Sequence, residues 1–186
     1  KWAKQEGLDF VMDQVAPGRS NLIITLGGDP GDKSLMFEGH TDVVAVGDKK
    51  AWRHDPFGAE IVGDLMYGRG TNDTKGNLAA MLMAMAAIKR ARVRFAGTIV
   101  GGVLCDEEDG MTGVRSFIDN GHADKLTGAI ICEPEENYIC FTQKGAIRAR
   151  YTISGRMCHG AMPLSGLNPA PALPRLIDSL YALEMA

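Results

Sequence analysis

Apolar side chains at Leu8, Val11, Met12 and Val15 fall on one helical face, so the pattern predicts a helix over residues 1–15, stopped by Pro17-Gly18. Residues 21–26 are a short β-type run, closed by the turn signal Gly27-Gly28-Asp29-Pro30-Gly31. Residues 34–38 form another, which runs straight into Gly39-His40-Thr41-Asp42. Residues 43–57 read as loop, and residues 59–62 and 65–67 flank Gly63-Asp64 as a hairpin. A helix is expected over 74–90, apolar on nearly all faces and therefore buried. Residues 98–104 and 129–132 read as buried strands, with a short helix over 112–120 between them, stopped by Gly121. Strands are also expected over 138–142 and 147–153. The second alternates Ile147, Ala149, Tyr151 and Ile153 with Arg148, Arg150 and Thr152, as a half-exposed strand does. A last helix is expected over 169–184, with Pro171 and Pro174 near its start.

Strands and helices interleave up to about residue 142. That order predicts an α/β layered domain with a largely parallel sheet over residues 1–143. From Lys144 the style changes, and residues 144–186 read as the start of a second, α+β domain. Composition narrows the class. With 45% hydrophobic and 23% charged residues in 186, the chain is globular rather than disordered. Its 23 glycines follow no collagen period. No apolar run reaches the roughly 18 residues of a membrane span, which argues against a membrane protein. A net charge of −3 argues against a general nucleic-acid binder. The chain starts at Lys1-Trp2-Ala3 with neither an initiator Met nor a signal segment, and it ends at Leu183-Glu184-Met185-Ala186 with no helix stop. Both ends read as cut, as in a piece of a longer chain. Cys105, Cys132, Cys140 and Cys158 form no CxxC pair, and Cys105 and Cys132 read as buried strand residues. Free thiols of this kind suit a reducing cytoplasm.

The informative feature is where the acidic and histidine side chains fall. His40 and Asp42 follow one apolar strand, Glu107 and Glu108 a second, and Glu133 a third, while Asp73 sits in a Gly-rich loop before a helix. Functional groups gather at the carboxyl ends of strands in open α/β sheets, so these segments are expected to meet in one crevice. Converging carboxylates repel one another and tend to protonate unless cations neutralise them. One histidine with several carboxylates suits zinc, cobalt or manganese, and a bridging carboxylate makes a two-metal site. Each piece also has a plain reading: Asp73 as a helix N-cap, Asp106-Glu107-Glu108-Asp109 as a solvated acidic loop, His-x-Asp as coincidence.

Phe37-Glu38-Gly39-His40-Thr41-Asp42-Val43-Val44 and Tyr67-Gly68-Arg69-Gly70-Thr71-Asn72-Asp73-Thr74-Lys75-Gly76 resemble the two signature segments of the M20 family of metallopeptidases and deacylases. Trp52 and Asp55-Pro56-Phe57 lie between them, as in that family. Cys105-Asp106-Glu107-Glu108 resembles its paired-glutamate segment and Cys132-Glu133-Pro134 its later acidic ligand. Gly155-Arg156-Met157-Cys158-His159-Gly160-Ala161-Met162-Pro163 and Gly166-Leu167-Asn168-Pro169 resemble the start of its inserted lid.

The resemblance implies a three-layer α/β/α zinc-aminopeptidase-like catalytic domain, here incomplete, followed by the start of a ferredoxin-like lid that dimerises. It implies two divalent ions, Zn2+ foremost, with Co2+ or Mn2+ as alternatives. His40, Asp73 and Glu133 would hold one ion, and Asp73 would bridge to the second, which Glu108 also binds. Glu107 would be the general base that takes a proton from the attacking water. Asp42 would orient His40 from behind, and His159 would stabilise the oxyanion, often from a partner subunit. The substrate would be an N-acyl amino acid or a small peptide. The family's second ion takes a further histidine far downstream. Of the four histidines here, His54 and His122 lie outside the motifs and read as surface residues, so that ligand is missing and the chain reads as truncated. No Gly-x-Ser-x-Gly elbow, dinucleotide fingerprint or P-loop competes. The alternatives are another two-metal aminopeptidase of related fold, an inactive metal- or substrate-binding relative, and an inactive fragment. A carboxylate kept at Glu107 favours an enzyme.

Overall fold

The computed structural model describes residues 1–183, so the expected helix end at Glu184 and the uncapped run to Ala186 lie outside the described residues. The chain divides into two compact units, Lys1–Ile139 and Cys140–Ala186.

In the first unit, α1 (Trp2–Gln5) stops before Gly7, whose φ of +66° turns the chain into β1 (Asp9–Ala16). A strand therefore replaces most of the helix expected over residues 1–15. The cause is non-local. β1 pairs antiparallel with β2 (Arg19–Gly27), from Asp9↔Thr25 to Asp13↔Asn21, and Pro17-Gly18 is the hairpin turn. A short helical stripe gains little without a core to face, whereas a ladder satisfies the backbone along the strand. β3 (Asp29–His40) is longer than the run that predicts it. The hairpin β4 (Glu60–Val62) and β5 (Leu65–Tyr67) forms as expected. There follow α2 (Asn77–Arg90), β6 (Ala96–Leu104), α3 (Thr112–Asp119) and β7 (Gly128–Ile131).

Five strands make one sheet in the order β1-β2-β6-β3-β7. β3 runs parallel to both β6 and β7, while β2 is antiparallel to β6 and to β1. The sheet is thus mixed rather than largely parallel. Successive residues of β2 divide between its faces: Ile24 packs with Leu78, Met81 and Met85 of α2, and Ile23 with Met36, Val100 and Phe117 of α3. The fold is α/β, in three layers. Gly101 and Gly102 interrupt the apolar run of β6 because both faces are crowded there. A Cβ on Gly101 would lie 2.7 Å from Met85 Sδ, and one on Gly102 2.2 Å from Met36 Cε.

The burial of α2 and of β7 departs from expectation. α2 buries only the side that meets the sheet, with Leu78, Met81, Met85 and Ala86 inside and Met83 exposed. β7 is exposed along its length; among the described residues it is an edge strand paired with β3 alone. Among the described residues no helix is long and apolar enough to cross a membrane.

In the second unit, Arg156 and Leu167 exchange backbone hydrogen bonds of 3.0 and 2.9 Å, which joins the segments around residues 155–163 and 166–169. A 3-10 turn over Pro163–Ser165 lies between them, and α4 (Ala172–Tyr181) starts after Pro171. Pro174 falls in its first turn, where a missing N–H leaves no bond broken. The strands expected over 138–142 and 147–153 do not form. Among the described residues no strand pairs with them, and alternation yields a ladder only beside a neighbour.

Candidate metal centre

β3, β6 and β7 are parallel, so their carboxyl ends share one edge of the sheet. His40 is the last residue of β3 and lies opposite Leu104 at the end of β6. Its side chain is buried. Imidazole Nδ1 lies 3.0 Å from the Asp42 carbonyl, an acceptor, so Nδ1 carries the hydrogen. Nε2 then faces Asp73 Oδ1 at 3.0 Å, Glu133 Oε1 at 3.7 Å and Glu107 Oε2 at 4.0 Å. His40, Asp73 and Glu108 each offer a ligand atom within 4.8 Å of one another. Such a set leaves an imidazole nitrogen among carboxylate oxygens with either a proton or a cation to share. Mixed His/carboxylate donors are those of Zn2+, Co2+ and Mn2+, so the residues fit a divalent ion.

Each ligand-bearing segment is held from behind. Asp73 stands in a turn over Thr71–Gly76, and its peptide bond to Thr74 is cis. It does not cap a helix, since α2 begins at Asn77 with Gly76 as N-cap. Thr74, fully buried, donates its hydroxyl to the Cys132 carbonyl at 2.6 Å, and Asn77 Nδ2 donates to the same oxygen at 2.7 Å. These bonds hold the chain next to Glu133. Asn21 is fully buried on β2; its Oδ1 accepts from Cys105 N–H (3.1 Å) and its Nδ2 donates to the Gly113 carbonyl (2.8 Å). Asp106 takes a positive φ of +63° and is bonded by Arg19 and by the Thr112 hydroxyl. Asp42 accepts from the main-chain N–H of Glu107 (3.1 Å) and Glu108 (3.0 Å). Its carboxylate lies 3.7 Å from His40 Nδ1, farther than its own carbonyl does.

The crowding shows in the proton affinities. Burial raises the pKa of Glu107, and Glu108, Asp42 and Asp73 add to it, with His40 pulling back. Burial also raises Glu133, with Asp73 the largest neighbouring charge. For His40, burial pulls the pKa down, but the bond to the Asp42 carbonyl and the nearby carboxylates outweigh it and raise the value. Glu38, buried on β3 with its backbone carbonyl accepting from Cys132 N–H, is pushed up to about 7 by burial and then by Glu133. Hydrogen bonding by the Thr112 hydroxyl keeps Asp106 below the usual range.

Sequence reasoning leaves Glu38, Asn21 and the Arg19–Asp106 pair without a role. The usable signal for Glu38 is a carboxylate inside the apolar run of β3; Asn21 carries no such mark. His159 lies exposed in the second unit, where its Nδ1 accepts from Ala161 N–H at 3.2 Å. His54 and His122 are half-buried rather than on the open surface: His54 stacks on Tyr67 and bonds Glu60, and His122 packs against Phe117. All four cysteines are free; Cys105 is buried, but Cys132 is only half-buried.

Residues 36–155 match peptidase family M20/M25/M40. A relative from Ruegeria sp. named succinyl-diaminopimelate desuccinylase 1 is 38% identical over 175 residues, which cover 89% of this chain and 45% of that protein. The chain therefore spans less than half the length of that relative. Among solved structures, human carnosine dipeptidase 1 aligns with a TM-score of 0.59 at 21% identity, over 69% of this chain and 30% of that one. The di-peptidase Dug1p of Saccharomyces cerevisiae aligns with a TM-score of 0.57 at 25% identity, over 69% of this chain and 30% of that one.

Proposed function

This chain belongs to peptidase family M20/M25/M40, and from that membership we propose that the protein is a metal-dependent hydrolase of amide bonds in N-acyl amino acids or small peptides. The observation that carries this reading is His40 Nε2 facing the carboxylates of Asp73, Glu133 and Glu107 at 3.0, 3.7 and 4.0 Å. His40, Asp73 and Glu133 would hold one divalent ion. Asp73 and Glu108 would hold a second, with Zn2+ foremost and Co2+ or Mn2+ able to substitute. When bound, such ions act as Lewis acids and bring the pKa of a water toward roughly 7.

The chain's own residues do the rest. The Asp42 carbonyl holds Nδ1–H of His40, which keeps Nε2 free for a ligand role. Glu107 takes the proton of the attacking water and returns it to the leaving amine, and burial and neighbouring carboxylates raise its proton affinity toward that task. Residues 1–143 form the catalytic part. Residues 144–186 begin a lid through which the protein forms a homodimer, and His159 contributes a donor to the oxyanion. The protein works in the cytoplasm, which suits its four free thiols. The relative named as a desuccinylase puts N-succinyl amino acids among the first substrates to test.

The experiment is metal analysis of the intact protein after dialysis against Zn2+, joined to a screen of N-succinyl, N-acetyl and dipeptide substrates with Zn2+ and Co2+. Two ions per chain and zinc-dependent amide cleavage are expected. Fewer than one ion per chain would sink the reading.

A further inference from the structure

Asp42 makes two kinds of bond to two separate parts of the site. Its main-chain carbonyl accepts from His40 Nδ1, 3.0 Å away. Its carboxylate, one oxygen each, accepts from the consecutive main-chain N–H groups of Glu107 and Glu108 at 3.1 and 3.0 Å. We propose that Asp42 is a positioning residue for the glutamate pair, its carboxylate clamping the Glu107–Glu108 backbone at a set distance from His40. The proposal rests on the roles given above to Glu107 and Glu108.

Local geometry explains why the clamp is available. β6 ends at Leu104, and Asp106 turns the chain with a φ of +63°. A left-handed residue in such a turn aims successive N–H groups into one concavity, which favours an anion. Asp42 supplies that anion from the segment after β3. The start of the loop is anchored separately, by Asn21 on Cys105 and by Arg19 and Thr112 on Asp106. Those anchors tie the loop to β2 and to α3. The Asp42 bonds tie it to the segment that follows His40, across 65 and 66 residues of sequence. The distances favour this target too: the carboxylate lies 3.7 Å from His40 Nδ1, beyond hydrogen-bond range, and within it of both amides. Bonds of a carboxylate to N–H groups are charge-assisted and about twice as strong as neutral ones.

The test uses Asp42→Asn and Asp42→Ser in the intact protein. Asn keeps the shape but turns one acceptor oxygen into a donor, so at most one of the two N–H bonds survives; Ser removes both. Amide hydrogen exchange is read first, with chelator present. At Glu107 or Glu108 it should quicken at least 10-fold in Asp42→Asn, with the Cys105 amide, held by Asn21, unchanged as an internal control. Zn2+ titration is read second. The ion that depends on Glu108 should weaken by about 10- to 100-fold, the usual effect of losing an outer partner, while the ion on His40 and Glu133 keeps its affinity. Unchanged exchange at both glutamates would overturn the clamp. So would equal weakening of both ions, which would return the carboxylate to His40. If the wild-type protein binds no ion, the proposed function fails, and the exchange rates still decide whether the clamp exists. Should Asp42→Ser not fold, the near-isosteric Asp42→Asn carries both readouts.

Discussion

Replacing Glu38 by Gln should stabilise the metal-free protein at alkaline pH and leave it unchanged in acid. Glu38 is only 8% exposed and lies on the strand that ends in His40. Burial, then Glu133 and Glu107, raise its pKa from 4.5 to about 7, with His40 opposing. A carboxyl with a higher pKa folded than unfolded binds its proton more tightly in the folded state. Folding is therefore undisturbed by Glu38 below about pH 4.5, loses stability as pH rises, and reaches the full loss above about pH 7. At roughly 1.4 kcal/mol per pKa unit the full loss is about 3 kcal/mol. Gln has nearly the same volume and no charge, so Glu38→Gln should recover about 2–3 kcal/mol at pH 8 and less than about 0.5 kcal/mol at pH 4.5. Urea unfolding with chelator at pH 4.5, 6 and 8 reads this as a difference in midpoint that grows with pH. Zn2+ should narrow the gap at pH 8, because a cation among His40, Asp73 and Glu108 offsets the same repulsion. Equal midpoint differences at all three pH values would refute the reasoning, since Glu38 would then titrate normally.

Two further substitutions separate chemistry from scaffold. Glu107→Gln should keep the metal content and lower kcat about 100- to 10,000-fold, the usual worth of a positioned base; an unchanged kcat removes Glu107 from that role. Asn21→Ala strands two buried groups, the Cys105 N–H and the Gly113 carbonyl, at about 1–3 kcal/mol each. Urea titration should show a loss of roughly 2–6 kcal/mol, and a loss under 1 kcal/mol would mean that water or a shifted α3 replaces the side chain.

Much of the site is legible in order along the chain. Apolar runs end at His40, Glu107 follows β6 and Glu133 follows β7, and parallel strands bring such ends to one edge whatever their separation in sequence. The β4–β5 hairpin and the Gly121 stop after α3 are local too, since Gly63-Asp64 and a positive φ at Gly121 act within a few residues. The first helix is misread for the opposite reason. Leu8, Val11, Met12 and Val15 satisfy a helical stripe, but the decision belongs to β2, which offers residues 9–13 a ladder. Burial goes the same way: the apolar side chains of β7 are exposed, and Glu38 is buried where β6 presents Gly102 opposite it.

By itself the sequence determined the layered α/β class, the interleaving of strands and helices, and which residue types stand at the strand ends. All of these follow from periodicity and turn chemistry within a dozen residues. Only the tertiary structure decided the mixed sheet order, the burial of Glu38 and Asn21, and the hydrogen bonds of the Asp42 carboxylate to the Glu107 and Glu108 N–H groups. Each of those depends on groups brought together from distant parts of the chain. Which acceptor a buried donor finds is then set by packing geometry, on which local spacing carries no information.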